Sequence, residues 1–246
     1  MPTTLRVFWA VCPPQEALDE VTALVRELKK PLSALGLSPA WCRTDGLHVT
    51  LKFIGDVAED AVGEQVAHVE RELTAARGRG ELAAAWAQLG GLGTFGAPER
   101  PAVLFAQVLR AQAGADAAAG PGEPSEPSEL GALQAGLEGW LEALSSERYP
   151  RDARAFHPHL TLARFKHGGP RDRSRPDRAQ GDRAQGDRAH DDRAQGLREL
   201  LQKHAPRRYG PRFRLDELVL FESQLGSDGA RYVPLARLPL GGAQGS

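Results

Sequence analysis

The sequence predicts an α+β fold with two related halves. Segments that favour strands and helices follow one another without the strict strand–helix–strand order of a parallel sheet. In addition, the motif His-x-Thr-Leu occurs twice, in HVTLKF at residues 48–53 and in HLTLARF at residues 159–165. The chain has only seven histidines, and two such matches would arise by chance in well under about 1% of chains of this composition. The recurrence therefore requires a structural or chemical reason.

The first half of the chain reads as strand, helix, strand, helix. Residues 5–11 (LRVFWAV) are rich in β-formers and end before two prolines, which is typical of a strand. Residues 16–30 place apolar side chains at helical spacing, and Pro31 follows them. Residues 47–55, which contain the first motif, predict a second strand, and residues 57–76 predict an amphipathic helix.

The second half begins after a segment of mixed character, residues 82–89, in which alanines favour a helix and the glycines that follow favour the end of a strand. The remaining predicted elements are a strand at 101–109, a helix at 130–144, a strand at 156–165, a short helix at 197–204, and strands at 213–223 and 231–240.

Two segments fall outside this pattern. Residues 113–129 have the composition of a flexible connection. Residues 177–196 are four pentapeptides, DRAQG, DRAQG, DRAHD and DRAQG, which are too short and too polar to bury a face. They favour a solvated loop or a marginal helix without chemistry. We therefore predict one bilobal domain over residues 1–246, with flexible insertions at about 113–129 and 170–196.

Composition limits the class of protein. The chain has 246 residues, 41% of them hydrophobic and 26% charged, and this composition is typical of a globular protein. A net charge of −1 argues against a broad grip on long nucleic acid, but not against an RNA end or a small anion held in a local pocket. Two cysteines without metal-like spacing, no signal peptide and no long apolar run predict a cytoplasmic protein without a membrane partner.

The doubled motif has a direct physical interpretation. In a strand, residues i and i+2 share a face, so His48 emerges beside Thr50 and His159 beside Thr161. If the two strands face one cleft, two imidazoles and two hydroxyls surround a space the size of a phosphate. One imidazole then accepts a proton and the other donates one, while the hydroxyls donate to the non-bridging oxygens. This scheme needs no metal and no cofactor.

These motifs and their surroundings resemble the 2H phosphoesterases, and in particular the RNA 2′,3′-cyclic phosphodiesterase branch, also called 2′–5′ RNA ligase-like. The similar segments are LRVFWAV, LHVTLKFIGDV, FHPHLTLARF and LVLFESQLGSDGARYVPL. The resemblance implies two lobes, each an antiparallel sheet with flanking helices, around a central cleft. It also implies hydrolysis of a ribose 2′,3′-cyclic phosphate to a 2′-phosphate, with His48 as proton donor and His159 as acceptor. The motifs are nearly symmetric, so the residues alone leave that order open.

Three further side chains are candidates for the site. Lys52 continues the face of His48 and would either contact the phosphate or lie exposed as an ordinary surface lysine. Arg164 matches the family pattern as a substrate ligand, but strict alternation places it on the face opposite His159, so a bulge or a strand end must bring it round. His157 has a spacing from His159 that can bind metal, but without neighbouring carboxylates or cysteines we expect it to be exposed to solvent.

Aromatic and glycine-rich segments have alternative interpretations. Phe8, Trp9 and Phe53 could stack a nucleobase, although aromatic residues in strands are more often part of the core. Residues 91–96 (GLGTFG) match the spacing of a dinucleotide-binding loop, but two prolines follow where a helix would have to start. We therefore predict a turn there.

The prediction from sequence is a metal-independent cyclic phosphodiesterase, expected to be a monomer, that acts on RNA ends or nucleoside 2′,3′-cyclic phosphates. Two alternatives remain open. One is a 2′–5′ RNA ligase, which would join a cyclic phosphate end to a 5′-hydroxyl. The other is a module that binds RNA or nucleotides without catalysis.

Overall fold

The computed structural model describes residues 3–82, 85–111, 129–165, 180–226 and 229–241, with the backbone alone described for 180–190. The elements in these ranges are β1 (Thr4–Val11), α1 (Gln15–Ala34), β2 (Ala40–Trp41), β3 (Val49–Ala58), α2 (Glu59–Gly78), β4 (Ala85–Phe95), β5 (Val103–Arg110), α3 (Glu129–Leu144), β6 (His159–Arg164), α4 (Gln180–His204), β7 (Tyr209–Leu215), β8 (Glu217–Gly226) and β9 (Gly229–Pro239). A short 3₁₀ turn precedes β3.

The strands form two antiparallel sheets. The first sheet has the order β3-β1-β8-β9 and the second has the order β2-β6-β5-β4-β7. The predicted α+β fold with two antiparallel sheets is therefore confirmed. Each His-x-Thr-Leu strand belongs to a different sheet: β3 is an edge strand of the first, and β6 lies next to the edge of the second.

One continuous core joins the sheets to the helices. Its fully buried members come from both sheets and from the apolar faces of α1 and α3; examples are Leu28, Leu141, Leu160 and Leu218. Because apolar side chains of β3 and β6 belong to the same core, the two motif strands are held in a fixed relation to one another.

Helix α1 is longer than predicted. The apolar pattern predicts an end before Pro31, but the helix continues through this proline to Ala34. A proline costs one backbone hydrogen bond inside a helix. Leu32 is fully buried, and its packing against the core holds the final turn in place.

The prediction of a turn at residues 91–96 is wrong for most of the segment, because Gly91 to Phe95 belong to β4. The ambiguous residues before them lead into the same strand. Its glycines allow close approach rather than a change of direction. A Cβ atom on Gly91 would lie 2.5 Å from the backbone oxygen of Ala205, and one on Gly93 would lie 2.4 Å from the ring of Phe105. Only Gly96, with φ +89°, turns the chain.

The predicted strand at 213–223 is two strands. The chain leaves the second sheet at the end of β7 and enters the first sheet as β8, with Asp216 between them. The side chain of Asp216 forms an ion pair with Arg214 at 2.5 Å, and its carbonyl accepts a hydrogen bond from the backbone of Leu240 at 2.7 Å. These contacts fix the crossing between sheets, which local periodicity does not reveal.

Helix α4 begins at Gln180 and so includes much of the pentapeptide repeat, rather than starting at residue 197. The last pentapeptide packs into the fold: Ala194 is fully buried, and Arg193 donates a hydrogen bond to the carbonyl of Leu35 at 3.2 Å. Of the two alternatives for the repeat, a solvated loop or a marginal helix, residues 180–196 form a helix, and the last pentapeptide is packed rather than solvated. Residues 177–179, and nearly all of the predicted insertion at 113–129, lie outside the described residues.

Candidate active site

The strand that carries the first motif contains a β-bulge at the leucine of the motif. Thr50 and Lys52 pair with consecutive residues of β1, which leaves Leu51 as an extra residue between them. An extra residue reverses the inward and outward alternation from that point on. Val49, Leu51 and Lys52 are accordingly all buried, whereas Phe53 is 51% exposed.

The second motif strand has a bulge at the equivalent position. Thr161 and Ala163 pair with consecutive residues of β5, which leaves Leu162 between them. Leu162 and Ala163 are both fully buried, and Arg164, the next residue, is exposed. The bulge thus brings Arg164 round from the face that strict alternation assigns to it, as the sequence required for a role beside His159.

Both motif histidines are oriented by a backbone carbonyl two residues upstream. Nδ1 of His48 lies 2.8 Å from the carbonyl oxygen of Gly46, and Nδ1 of His159 lies 2.7 Å from that of His157. A carbonyl oxygen only accepts, so Nδ1 carries the hydrogen and donates it in each ring. In each neutral ring, Nε2 then holds the lone pair and is the nitrogen that can accept a proton.

Aromatic rings pack against the two histidines in a similar way. Phe8 lies 4.7 Å from His48 between ring centroids, and Tyr232 meets the same ring edge-on at 4.8 Å and 85°. Phe95 meets His159 edge-on, also at 4.8 Å and 85°. These rings restrict the side-chain rotation of both imidazoles, which holds the two Nε2 atoms in place.

Electrostatics connects the two halves of the site. Burial lowers the pKa of His48 to about 4, although the hydrogen bond to Gly46 acts in the opposite direction. The charges of Arg164 and His159 lower it further. Arg164 and His159 therefore lie within electrostatic range of His48, and the strands β3 and β6 contact each other directly.

Lys52 is neither a phosphate ligand nor an exposed lysine. The bulge turns it into the core, where Nζ donates to Oε2 of Glu138 at 2.5 Å and to the carbonyl of Pro150 at 2.6 Å. Both charged side chains are almost fully buried. Both alternatives considered for Lys52 from the sequence are therefore wrong, because strict alternation does not hold beyond Leu51.

The candidate base-stacking residues separate into three environments. Trp9 is fully buried in the core. Phe8 lies on the site face, under the ring of His48. Phe53 pairs directly with Phe8 and shares its face, where the Arg6 guanidinium lies 4.9 Å from the Phe53 ring centroid. Phe53 therefore offers an exposed aromatic surface on the same side as His48.

Sequence reasoning did not identify the rings that support the histidines, among them Tyr232, Phe95 and Phe105. Phe105 could have been found if the pairing of β5 with β6 had been known, because it lies directly opposite Thr161. No local signal connects Tyr232 to His48, since they lie at opposite ends of the chain and meet through the order of the first sheet.

Other features of the described residues add little to the site. His157 is exposed and contributes its carbonyl rather than its ring. No cluster of three His, Cys, Asp or Glu side chains suited to a metal ion occurs in the described ranges. Cys12 and Cys42 are both free thiols, and burial raises the pKa of Cys12 to about 11. No helix among the described residues is long and apolar enough to cross a membrane.

Known proteins are similar to this chain in sequence and in fold. Residues 11–105 match the family model described as LigT like Phosphoesterase. The RNA 2′,3′-cyclic phosphodiesterase of Aeropyrum pernix is 30% identical over 142 residues, which cover 56% of this chain and 64% of that relative, slightly less than two thirds of its length.

Solved structures show the same fold. TT0787 of Thermus thermophilus has a TM-score of 0.62 at 23% identity, over 98% of this chain and 100% of that one. E. coli LigT, crystallised with 3′-AMP, has a TM-score of 0.57 at 18% identity, over 97% and 99%. The chain is therefore similar in sequence to LigT-like phosphoesterases over residues 11–105, and it has the fold of the two solved structures.

Proposed function

We propose that this protein is a 2H phosphoesterase that hydrolyses the 2′,3′-cyclic phosphate of an RNA end or a nucleoside to a 2′-phosphate, without a metal ion. The observation that carries the proposal is the matched pair of histidines, each with Nδ1 donating to a backbone carbonyl, at two strands, β3 and β6, that contact each other. The relative from Aeropyrum pernix is named for this activity, and E. coli LigT was crystallised with 3′-AMP.

The reaction needs two proton transfers on opposite sides of phosphorus. Water attacks phosphorus and forms a new P–O bond, while one Nε2 accepts its proton. The bond from phosphorus to the 3′-oxygen breaks, and the other histidine, in its protonated form, donates a proton to that oxygen. Thr50 and Thr161 donate hydrogen bonds to the non-bridging oxygens, and Arg164 neutralises the charge that grows on them.

The resemblance assigns the donor role to His48 and the acceptor role to His159. In the unliganded protein, a pKa of about 4 keeps the ring of His48 neutral at pH 7. A donor must be protonated, so His48 fills this role only when the negative charge of the bound phosphate raises its pKa. We therefore infer that substrate binding and protonation of His48 occur together.

An activated substrate distinguishes the roles. Nitrophenolate leaves without protonation, so bis(4-nitrophenyl) phosphate needs an acceptor but no donor. We expect His48→Ala to retain a much larger fraction of wild-type activity on this compound than on a nucleoside 2′,3′-cyclic phosphate, and His159→Ala to lose activity on both. The reverse pattern would exchange the two roles and leave the rest of the proposal in place.

The primary test is incubation with the four nucleoside 2′,3′-cyclic phosphates, followed by identification of the product. We expect a 2′-phosphate from at least one nucleoside, no loss of rate with a chelator, and rates lower by about 10²–10⁴ for His48→Ala and for His159→Ala. Unchanged thermal unfolding of both variants controls for the fold. Wild-type rates in both variants would refute the mechanism. Binding without turnover would indicate the non-catalytic module, and joined products would indicate the ligase.

A further inference from the structure

A surface cavity, here called the hollow, lies between α1 and the segment that joins β2 to β3. Its volume is about 230 Å³, and its walls include Trp41 at the end of β2, Leu47 from that segment and Leu162 from β6. None of the motif histidines or threonines lines it. It is therefore separate from the space between the two histidines.

The hollow carries positive charge without matching negative charge. Arg26 and Lys29, one turn apart on α1, line it and are both exposed. Neither forms an ion pair or a hydrogen bond with another side chain that the structure describes. Arg43 also lines it, but Asp45 holds its guanidinium in two hydrogen bonds of 3.1 and 2.8 Å. Two neighbouring like charges on a helix repel each other, so an anion between Arg26 and Lys29 would be stabilising.

The remaining walls suit a nucleotide rather than a simple ion. The Thr22 hydroxyl donates to the carbonyl of Leu18 at 3.0 Å and lies 3.5 Å from the Thr44 hydroxyl, which makes a pair of polar groups at the rim. The half-buried Trp41 supplies an apolar indole. Cations beside an aromatic ring are the combination with which proteins bind single-stranded nucleic acid without reading its sequence.

The hollow is also next to the site. The backbone N–H of Cys42 donates to the carbonyl of Leu162, the bulged residue of the second motif, at 2.8 Å. Leu47 directly precedes His48 in the chain. Burial raises the pKa of the Cys42 thiol, and the charge of Arg164 acts against this, so Arg164 lies within electrostatic reach of the wall of the hollow. An RNA strand whose terminal phosphate lies at the histidines can therefore also contact the hollow.

We propose that this hollow binds a phosphate of the RNA strand upstream of the terminal cyclic phosphate, with Arg26 and Lys29 as its ligands and Trp41 as the surface for the adjoining nucleotide. This inference rests on the proposed function and extends it: the preferred substrate is an RNA oligomer rather than a single nucleoside. The net charge of −1 is compatible with it, since only a local pair of cations is required.

The test compares a nucleoside 2′,3′-cyclic phosphate with a tetranucleotide that ends in the same cyclic phosphate. We expect Arg26→Gln and Lys29→Gln each to lower kcat/KM for the tetranucleotide about threefold, mainly through KM, and the double variant to lower it about tenfold. The slope of log kcat/KM against log salt should fall by about 0.7 for each phosphate contact removed. Turnover of the nucleoside substrate should stay within about twofold of wild type in the same variants.

Lys30→Gln is the matched control, because Lys30 is the next residue on α1 and does not line the hollow. An equal effect of this variant, or equal losses on both substrates, would overturn the proposal. A 5′-nucleoside monophosphate that changes turnover of the nucleoside substrate in the wild type, but not in the double variant, would show that the hollow binds a free nucleotide and that the strand assignment is wrong.

Failure of the proposed function would look different. In that case the wild type hydrolyses neither substrate. The hollow is then tested by the affinity of a tetranucleotide with an ordinary 3′-phosphate for the wild type, Lys29→Gln and Lys30→Gln, measured by fluorescence anisotropy. Weaker binding by Lys29→Gln alone supports the phosphate subsite, and equal binding by all three refutes it.

Discussion

Replacement of Lys52, whose side chain points from β3 into the core, should destabilise the protein severely. Lys52 and Glu138 form a buried ion pair at 2.5 Å, with side chains only 4% and 6% exposed. Lys52→Met would leave the Glu138 carboxylate buried without its cation. Breaking one side of such a pair costs about 3–5 kcal/mol. For a chain of this size that corresponds to a decrease in Tm of about 6–20 °C.

The double variant separates the pair from its neighbours. Glu138→Met alone should also be strongly destabilising, because it leaves the Lys52 ammonium with only the carbonyl of Pro150. Lys52→Met/Glu138→Met leaves no buried charge at this position. We therefore expect it to be more stable than either single variant, with a coupling of at least about 2 kcal/mol. Urea and thermal unfolding of the four proteins measure this cycle.

An exposed pair serves as the control. Arg237 and Glu217 form an ion pair at 2.8 Å with about half of each side chain exposed, and Arg237→Met should change Tm by no more than about 2 °C. A small effect of Lys52→Met, or a double variant that is less stable than both single variants, would refute the assignment of Lys52 to the core. The same result would undermine the bulge at Leu51, which turns Lys52 inward.

Three further predictions test individual contacts. Because burial lowers the pKa of His48 from 6.5 to about 4, the unfolded chain binds this proton before the folded protein does as the pH falls, and the wild type loses stability. Between pH 6.5 and pH 4, the free energy of unfolding should therefore fall by about 3 kcal/mol less in His48→Gln than in the wild type. Urea unfolding at each pH measures this, and parallel curves for the two proteins would contradict it. Gly91→Ala should cost about 1–3 kcal/mol, since its Cβ would lie 2.5 Å from a backbone oxygen, whereas Gly63→Ala in α2, with no atom within 4 Å, should add up to about 1 kcal/mol in the same unfolding assay. Arg164→Ala should raise KM for a cyclic phosphate about tenfold without a change in Tm, and Arg164→Lys should restore part of the loss; equal effects of both on Tm would indicate a structural role instead.

The pairing of each motif histidine with its threonine could be predicted from the sequence, because that information lies within short segments. His48 directly precedes β3 and lies two residues before Thr50, and His159 and Thr161 have the same spacing in β6. A shared face is therefore expected from strand geometry without knowledge of the partner strand. The α+β class and most helices follow in the same way from local periodicity. These predictions needed only the chain within about ten residues of each position.

The errors concern contacts between distant segments. The glycines of β4 were interpreted as a turn. They are needed instead because Ala205 and Phe105, from other parts of the chain, approach the strand too closely for a larger side chain. The crossing at Asp216 separates two strands that belong to different sheets, and nothing in the local pattern marks it. Tyr232 reaches His48 only because β8 and β9 complete the first sheet.

The two bulges also explain why the halves of the site differ although the motifs match. In each strand the leucine of the motif is the extra residue, so the residue after it turns inward and the next one turns outward. In the second strand the outward residue is Arg164, which adds a cation on the face of His159. In the first strand it is Phe53, which adds an aromatic surface on the face of His48. The cation of that strand, Lys52, is paired with Glu138 inside the core. If the proposed function holds, Arg164 attracts the phosphate and Phe53 suits a base or ribose. We therefore expect a bound nucleotide to have one preferred direction, even though the two histidine–threonine pairs are nearly symmetric.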